Sequence, residues 1–252
     1  MNGTNILETR GLTKEFRGFV AVSGVDLAVR KGTIHGLIGP NGAGKTTVFN
    51  LLTKFLLPTS GTILFRGEDI TGERPAHVAR RGLVRSFQIS STFPHMTVLE
   101  NVRIALQRKR GSSFEFWRSE TSLADLDIRA MELLASVELA EHARLKAVEL
   151  PYGRKRALEL ATTLALEPEL MLLDEPTQGM AHEDVGRVVE LIKKVAAGRT
   201  VLMVEHNLSV VEHLCDTITV LQRGQVLTEG DYRTVSNDPR VLEAYVGVSD
   251  DD

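Results

Sequence analysis

The stretch that decides the fold is GPNGAGKTT, residues 39–47. It satisfies the pattern G-x-x-x-x-G-K-[ST], with Gly39, Gly44, Lys45 and Thr46 at the fixed positions. A strand-like segment, TIHGLIG, precedes it, and a helix-like run, KTTVFNLLTKFL, follows it. Strand, glycine-rich loop and helix in this order predict a phosphate-binding loop, because glycine lets backbone N–H groups curl around phosphate oxygens without a Cβ in the way.

Two side chains of this loop predict how a nucleotide and its metal would be held. Lys45 would reach the β- and γ-phosphates, and the Thr46 hydroxyl would hold Mg²⁺. A chance glycine turn is the alternative, but it would not need a strand before it and a helix after it. The expected nucleotide ligands in the loop are Gly39, Pro40, Asn41, Gly42, Ala43, Gly44, Lys45, Thr46 and Thr47.

A second segment, LMLLDEP (residues 170–176), has the pattern of a buried strand that ends in two carboxylates. A fully apolar strand suits the centre of a parallel sheet. Asp174 could lie beside the phosphate loop and hold Mg²⁺, directly or through water. Glu175 would then be the general base that polarises the attacking water. Alone, Asp-Glu after a strand is often a solvated turn, but beside a phosphate loop it predicts the second half of one site.

Two further polar residues, Gln88 and His206, close the strand-like segments LVRSFQ and TVLMVEH. Ligands of open α/β sheets bind at the carboxyl ends of the strands, so both side chains are expected near the two carboxylates. Gln88 could contact Mg²⁺ or the lytic water, and His206 could hydrogen-bond the γ-phosphate. Either residue alone would be taken for a surface or capping residue, but their shared position favours a site.

The order of elements predicts an α/β core interrupted by a helical insertion. Strand patterns occupy the first third of the chain and return near its end, whereas the middle is mostly helical. We predict a single domain, residues 1–252. In it, residues 1–88 and 167–252 form an antiparallel β subdomain and a mainly parallel sheet, and residues 89–166 form a helical subdomain.

Composition narrows the classes of function. With 252 residues, 42% hydrophobic and 25% charged, the chain is ordinary for a globular protein, and a net charge of −3 gives no reason to expect nucleic-acid binding. No stretch approaches the ~20 apolar residues that a membrane-spanning helix needs. The first residues carry neither a basic end nor an apolar run, so we expect no signal peptide.

Together these motifs resemble those of the ATP-binding subunit of an ABC transporter, over nearly the whole chain. The features that occur in that family's order are the phosphate loop, Gln88, residues 150–154, the strand ending in Asp174 and Glu175, and His206. The resemblance implies the P-loop ABC ATPase fold, ATP and Mg²⁺ as ligands, and hydrolysis coupled to transport. It also implies that Phe16 stacks on adenine.

The segment LPYGR (Leu150, Pro151, Tyr152, Gly153 and Arg154) stands where the family has its signature, LSGGQ. Such domains dimerise head to tail across two ATP molecules, so this signature would contact the γ-phosphate that a neighbouring subunit binds. Gly153 would let the backbone approach that phosphate. The basic side chains of the first turn, Arg154, Lys155 and Arg156, would be tolerated because of the charge on that ATP.

Two departures from the family pattern fall in elements that act on the neighbour's nucleotide. In the signature, Pro151 replaces the serine, Tyr152 the first glycine and Arg154 the glutamine. After DEPT the family commonly has S-A-L-D, whereas this chain has QGMA, which places Ala181 where an aspartate is usual. Because proline has neither a hydroxyl nor an N–H, one contact across the interface is missing. The elements that serve the chain's own nucleotide match the family. We therefore expect a heterodimer with a second, different ATPase subunit, with a homodimer as the alternative.

Several segments resemble the ATPases of importers for branched-chain amino acids, amides or urea. They are Tyr152–Gly153, RSFQ before FPHMTVLENV, the helical insertion and the ending VLEAYVG. The resemblance implies transmembrane permease subunits as partners, a solute-binding protein as an indirect one, and a peripheral position on the cytoplasmic face of the inner membrane. The permease contact is expected within residues 89–101, at Phe93, Met96 and Leu99.

Three other functions stay open. The ATPase of a lipopolysaccharide exporter has a similar length and ending. A soluble ABC ATPase of DNA repair or translation would need a long coiled coil or a second ATPase domain, and no sustained heptad run is present. A hydrolytically silent regulator is disfavoured by Glu175 and His206.

Overall fold

The computed structural model describes residues 4–86, 92–109, 120–180 and 182–246. In these ranges the strands are β1 (Asn5–Phe16), β2 (Phe19–Arg30), β3 (Ile34–Ile38), β4 (Ser60–Phe65), β5 (Glu68–Asp69), β6 (Leu83–Arg85), β7 (Leu170–Asp174), β8 (Thr200–Val204), β9 (Thr217–Gln222) and β10 (Gln225–Gly230). The α-helices are α1 (Lys45–Leu52), α2 (Pro75–Arg80), α3 (Val98–Lys109), α4 (Glu120–Ser136), α5 (Tyr152–Leu164), α6 (His182–Ala196), α7 (Leu208–Leu214), α8 (Tyr232–Ser236) and α9 (Pro239–Val246).

The N-terminal sheet has the order β2-β1-β4-β5, and its strands pair antiparallel. Side chains on one face of these strands are buried, among them Leu7, Leu12, Ile63 and Phe65. The opposite face is largely solvated, which is the arrangement that alternating apolar and polar residues predict for an antiparallel sheet.

The second sheet has the order β10-β9-β3-β8-β7-β6. β3 pairs parallel with both β8 and β9, and β7 pairs parallel with both β6 and β8, whereas β9 and β10 are antiparallel. Helices α3, α4 and α5 lie between β6 and β7 in the chain. The predicted fold class, an antiparallel β subdomain, a mainly parallel sheet and a helical insertion, is confirmed. The subdomain boundaries stay predictions.

The two faces of the parallel sheet are buried in two different cores. On β7, Met171 and Leu173 join a core built with the helices of the insertion, while Leu170 and Leu172 join a core shared with the N-terminal sheet and α1. Successive side chains of a strand point to opposite faces, so a strand buried on both sides must be apolar throughout. This burial explains the uninterrupted run LMLL before the two carboxylates.

The helix predicted over KTTVFNLLTKFL ends earlier than its apolar pattern indicates. α1 stops at Leu52; the Thr53 hydroxyl donates to the carbonyl of Phe49 at 2.7 Å, and Lys54 has a φ of 65°. A residue in the left-handed region ends a helix, so the last apolar residues of the pattern belong to the following loop.

None of the helices in the described part of the chain has both the length and the apolar character needed to cross a bilayer.

Candidate active site

The glycine-rich loop runs from the end of β3 to the start of α1, and two of its glycines are required by close backbone contacts. Gly39 has a φ of 149°, and a Cβ there would lie 2.1 Å from the carbonyl oxygen of Leu221. Gly44 has a φ of 100°, and its Cβ would lie 2.7 Å from the carbonyl oxygen of Ala21. Any other residue at these positions would displace the loop from β9 or from β2.

Lys45 folds back over the loop. Its Nζ donates to the carbonyl of Gly39 at 2.6 Å and to the carbonyl of Pro40 at 2.9 Å. Burial lowers the pKa of this lysine, and the nearby Glu175 carboxylate partly opposes the shift. The ammonium is therefore held at the loop by carbonyl oxygens, which phosphate oxygens could replace. The next residue, Thr46, is exposed at the start of α1.

The other predicted nucleotide ligands are accessible to different degrees. Asn41 and Gly42 are exposed, and the loop residues Pro40, Asn41, Gly42 and Ala43 line a cavity of about 470 Å³ together with α9 and the turn after β9. Phe16, at the end of β1, is 41% exposed, and the Lys14 ammonium lies 5.1 Å from the centroid of its ring. The ring is therefore a surface feature that could stack on a base.

Asp174 ends β7 and forms an ion pair with Arg85, which ends the neighbouring strand β6. The same guanidinium donates to the side-chain oxygen of Asn50 at 2.7 Å and lies over the ring of Phe49. Arg85 thus holds the carboxylate of β7 against α1, the helix that begins at the phosphate loop. The sequence pattern did not single out Arg85, although it lies in the quoted strand LVRSFQ.

The structure brings Glu175 and His206 together at the ends of two paired strands. Asp174 is opposite Val204 in the parallel register of β7 and β8. Glu175 Oε1 lies 3.9 Å from His206 Nδ1. Glu175 has a φ of 44°, a left-handed conformation that costs a non-glycine residue about 1–2 kcal/mol. A strained backbone that holds a carboxylate at a sheet edge is a feature of functional sites.

Glu205, between β8 and His206, is a component that sequence reasoning missed. It is fully buried, and its carboxylate accepts four hydrogen bonds. Oε1 accepts from the backbone N–H and the hydroxyl of Thr177, at 3.0 and 2.6 Å; Oε2 accepts from the N–H groups of His206 and Asn207, at 3.1 and 3.2 Å. One buried carboxylate therefore fixes the loops that carry Glu175 and His206.

The signature segment precedes and begins α5. Leu150 is buried and Pro151 is the residue before the helix. The hydroxyl of Tyr152 donates to the carbonyl of Gln178 at 2.8 Å. A Cβ added to Gly153 would lie 3.7 Å from the side chain of Asp184, an ordinary van der Waals distance, so no contact within this chain requires glycine there. Pro151, Gly153, Arg154 and Asp184 line a cavity of about 500 Å³.

Of the three basic residues near the start of α5 that were expected to lie near a neighbour's ATP, one has a different environment. Arg154 is exposed and Lys155 half-buried, but Arg156 is buried and does not face a neighbouring anion. It forms an ion pair with Glu159, at 2.7 Å between Nη1 and Oε2, and donates to the carbonyl of Glu175 at 3.1 Å. The explanation by a neighbour's ATP is therefore wrong for Arg156, because an internal carboxylate one turn along the helix compensates its charge.

Two predicted residues, Gln88 and Ala181, lie outside the described residues. Of the predicted permease contacts, Phe93 is half exposed, Met96 is partly buried and Leu99 packs against the core of the insertion.

Comparison with known proteins decides the family. The sequence model of the ABC transporter family matches residues 22–178, and that of the branched-chain amino acid ATP-binding cassette transporter matches residues 225–251. The chain belongs to the ABC transporter family.

Relatives in this family match over almost their full length. The chain is 38% identical to the high-affinity branched-chain amino acid transport ATP-binding protein BraF of Pseudomonas aeruginosa and 37% identical to the corresponding protein LivG of Escherichia coli K12, covering 96% of this chain and 98% of each relative. Among solved ABC cassettes, the ADP conformation of MJ1267 aligns with a TM-score of 0.83 at 30% identity, covering 97% of this chain and 99% of that one. The predicted family is confirmed.

The buried carboxylate of Glu205 generates a prediction about stability. In Glu205→Gln, one oxygen becomes an NH₂ group that must face at least one backbone N–H donor, whichever way the amide turns. We expect the free energy of unfolding to fall by about 2 kcal/mol. Urea unfolding followed by circular dichroism measures it. Glu212→Gln, on the exposed face of α7, is the matched control and should change stability by less than about 0.5 kcal/mol; equal effects of the two variants would contradict the assignment.

Proposed function

We propose that this chain is the ATP-hydrolysing subunit of a membrane importer for branched-chain amino acids. The observation that carries the proposal is the coincidence of a complete phosphate loop with Glu175 and His206, 3.9 Å apart, at the adjoining strand end. The relatives and the match at residues 225–251 support the choice of cargo and favour import over the exporter alternative. Amides and urea remain the neighbouring cargo classes of the same proposal.

We assign ATP to the phosphate loop and Mg²⁺ to the position between Thr46 and Asp174. Mg²⁺ prefers hard oxygen ligands and is commonly bound by one or two carboxylates plus substrate phosphates. The Thr46 hydroxyl and the Asp174 carboxylate match this donor set, and Gln88 is the third proposed ligand. Arg85 occupies Oδ2 of Asp174, while Oδ1 accepts no hydrogen bond from the described residues. When bound, the metal would neutralise charge that develops on the β- and γ-phosphates.

The residues of the chain then divide the work of hydrolysis. Lys45 would exchange its carbonyl partners for β- and γ-phosphate oxygens. The Glu175 carboxylate would orient a water and accept its proton as the water oxygen attacks the γ-phosphorus, and the β–γ bridging oxygen would leave with ADP. His206, with more than half of its side chain exposed, would donate a hydrogen bond to the γ-phosphate.

The proposed cycle uses two ATPase subunits and a permease at the cytoplasmic face of the membrane. ATP bound between the loop of one subunit and residues 150–154 of the other would close the pair, and closure would change the orientation of the permease. Hydrolysis would then reopen the pair. In this scheme binding energy moves the transporter and hydrolysis resets it, since a ligand shifts a conformational equilibrium only through its differential affinity for the two states.

The base assignment is tested with a pair of variants. Glu175→Gln removes the proton acceptor but keeps the shape of the side chain, so kcat for phosphate release should fall by at least about 100-fold, while ATP binding, measured by equilibrium dialysis, is retained. Lys45→Ala should instead raise the dissociation constant for ATP at least about tenfold, because a charged phosphate contact is lost. Normal hydrolysis by Glu175→Gln would exclude this carboxylate as the base.

The heterodimer proposal rests on the signature. Pro151 offers no hydroxyl and no N–H to a neighbour's phosphate, and the hydroxyl of Tyr152 is occupied by the carbonyl of Gln178. The chain would therefore complete a partner's nucleotide site poorly and would pair with a second ATPase subunit that has its own signature.

For the purified chain without a second ATPase, we expect Pro151→Ser to raise the ATPase rate about fivefold, the equivalent of one hydrogen bond of about 1 kcal/mol. Serine is also a favourable residue before a helix, so the variant should fold. Phosphate release across a series of protein concentrations measures the effect. Pro239→Ser, at the start of α9, is the control. A wild-type rate that equals that of Pro151→Ser would contradict the proposal.

The proposed permease contact is an apolar surface around Phe93. The exposed side chains of Phe93, Leu145 and Val148 belong to two segments that are hydrogen-bonded to each other, with Val148 N–H donating to Pro94 at 2.9 Å and Val98 N–H donating to Leu145 at 2.9 Å. Exposed apolar patches mark interaction sites. Met96 and Leu99, which are partly buried, would pack beneath the exposed side chains and contribute less of the contact area.

Phe93→Asp tests this surface. Asn101 fixes the backbone of Phe93 by accepting from its N–H at 2.7 Å and donating to its carbonyl at 3.1 Å, so the change should not unfold the segment. We expect at least about a tenfold loss of co-purification with the permease, with ATP binding unchanged. Leu242→Asp, equally exposed but on α9, is the control. Full assembly of Phe93→Asp would place the contact elsewhere.

A further inference from the structure

Two side chains on one face of α5 hold the loop that follows β7. The hydroxyl of Tyr152 donates to the carbonyl of Gln178 at 2.8 Å, and Nη2 of Arg156 donates to the carbonyl of Glu175 at 3.1 Å. Residues four apart lie on the same face of an α-helix, so one helical turn contacts the loop at both ends. The helix that begins in the signature segment is thus bonded directly to the residue assigned as general base.

The side chain of Arg156 is fixed in this arrangement by burial and by its two partners. Its side chain and that of Glu159 are both buried, with 7% and 3% of their side-chain areas exposed. Nη1 pairs with Glu159 and Nη2 reaches Glu175, which uses the fixed fork of donors that a guanidinium presents. A lysine ammonium on its flexible stem would keep the ion pair but would not reproduce this fork.

The backbone of Glu175 needs such support. Its φ of 44° lies in the left-handed region, which a side chain with a Cβ adopts only when its surroundings impose it. Its N–H donates to Val204 at 2.9 Å, and its carbonyl accepts from Arg156 and from the N–H of Gln178, at 3.1 Å each. These three bonds fix both peptide groups of Glu175 and therefore the direction of its Cα–Cβ bond.

We propose that Arg156 is a positioning residue for hydrolysis: through the carbonyl of Glu175 it holds the backbone conformation that aims the carboxylate at the attacking water. The inference rests on the proposed role of Glu175 as base. Because Arg156 lies one turn after Tyr152 in α5, it also connects the segment proposed to meet a neighbour's ATP with the base of the chain's own site. Movement of the signature helix would therefore change the aim of Glu175.

The test compares two single variants that perturb the same ion pair. Arg156→Lys keeps a positive charge opposite Glu159 but loses the donor to Glu175. Glu159→Gln removes the carboxylate but leaves that donor in place. We expect kcat of Arg156→Lys, expressed per ATP-binding site, to fall about tenfold with KM for ATP within about twofold of wild type. We expect Glu159→Gln to keep kcat within about threefold.

A double variant separates positioning from folding. Arg156→Met with Glu159→Met replaces the buried pair by apolar side chains of similar length, a change that proteins often tolerate. It should fold, by its circular dichroism and thermal transition, and should show the same low kcat as Arg156→Lys. Equal loss of kcat in Arg156→Lys and Glu159→Gln, or a normal kcat in the folded double variant, would overturn the inference.

The outcome for Glu175→Gln distinguishes this inference from the proposed function. If Glu175→Gln still hydrolyses ATP, the base is misassigned and the role of Arg156 falls with it. If Glu175→Gln is inactive and Arg156→Lys has a normal kcat, the base stands and only the positioning role is overturned. If both are impaired, Arg156→Lys in the Glu175→Gln background should cause no further loss, because the group that it aims is already inactive.

Discussion

The parallel pairing of β3, β8 and β7 is the constraint on which the rest of the site depends. All three strands are mostly apolar and buried, and the phosphate loop, the two carboxylates and the Glu205–His206 pair lie at or just after their carboxyl ends. In a parallel sheet those carboxyl ends meet at one edge. The phosphate loop, Asp174 with Glu175, and Glu205 with His206 are brought together by this register, although 167 positions separate Gly39 from His206. Burial of both faces of the sheet thus supplies the free energy that brings the polar residues together at the carboxyl ends of these strands.

The carboxyl ends of these strands are also held together by buried and half-buried charges. Arg85 ties Asp174 to α1, Glu205 ties the loop after β7 to the loop after β8, and Arg156 ties that first loop to α5. Each charge is paired or fully hydrogen-bonded, as the cost of burying an isolated charge requires. The consequence is that residues 174–178, the end of β7 and the loop after it, depend for their position on three neighbouring elements at once. Such over-determination is what allows Glu175 to keep a left-handed backbone.

One departure from the family signature makes a contact within the chain that the sequence does not reveal. Tyr152 replaces a glycine of the family pattern, and its hydroxyl reaches the carbonyl of Gln178, in the stretch where the family pattern also differs. Gly179 has a φ of 74°, and a Cβ there would lie 3.5 Å from that hydroxyl, so the tyrosine packs directly against this turn. Residues 150–154 and the turn at residues 178–179 therefore pack against each other, and a substitution in one would alter the conformation of the other.

The sequence by itself determined the fold class, the family and the order of the motifs. Those features depend on local patterns, namely apolar strands, a glycine loop between strand and helix, and carboxylates after a buried run. Only the tertiary structure decided the partners of the buried charges. The sequence predicted a neighbour's ATP as the anion near Arg156 and did not single out Glu205, because neither periodicity nor spacing indicates which distant carbonyl or N–H a side chain reaches. The same holds for the end of α1 at Leu52, where the chain turns although its apolar pattern continues.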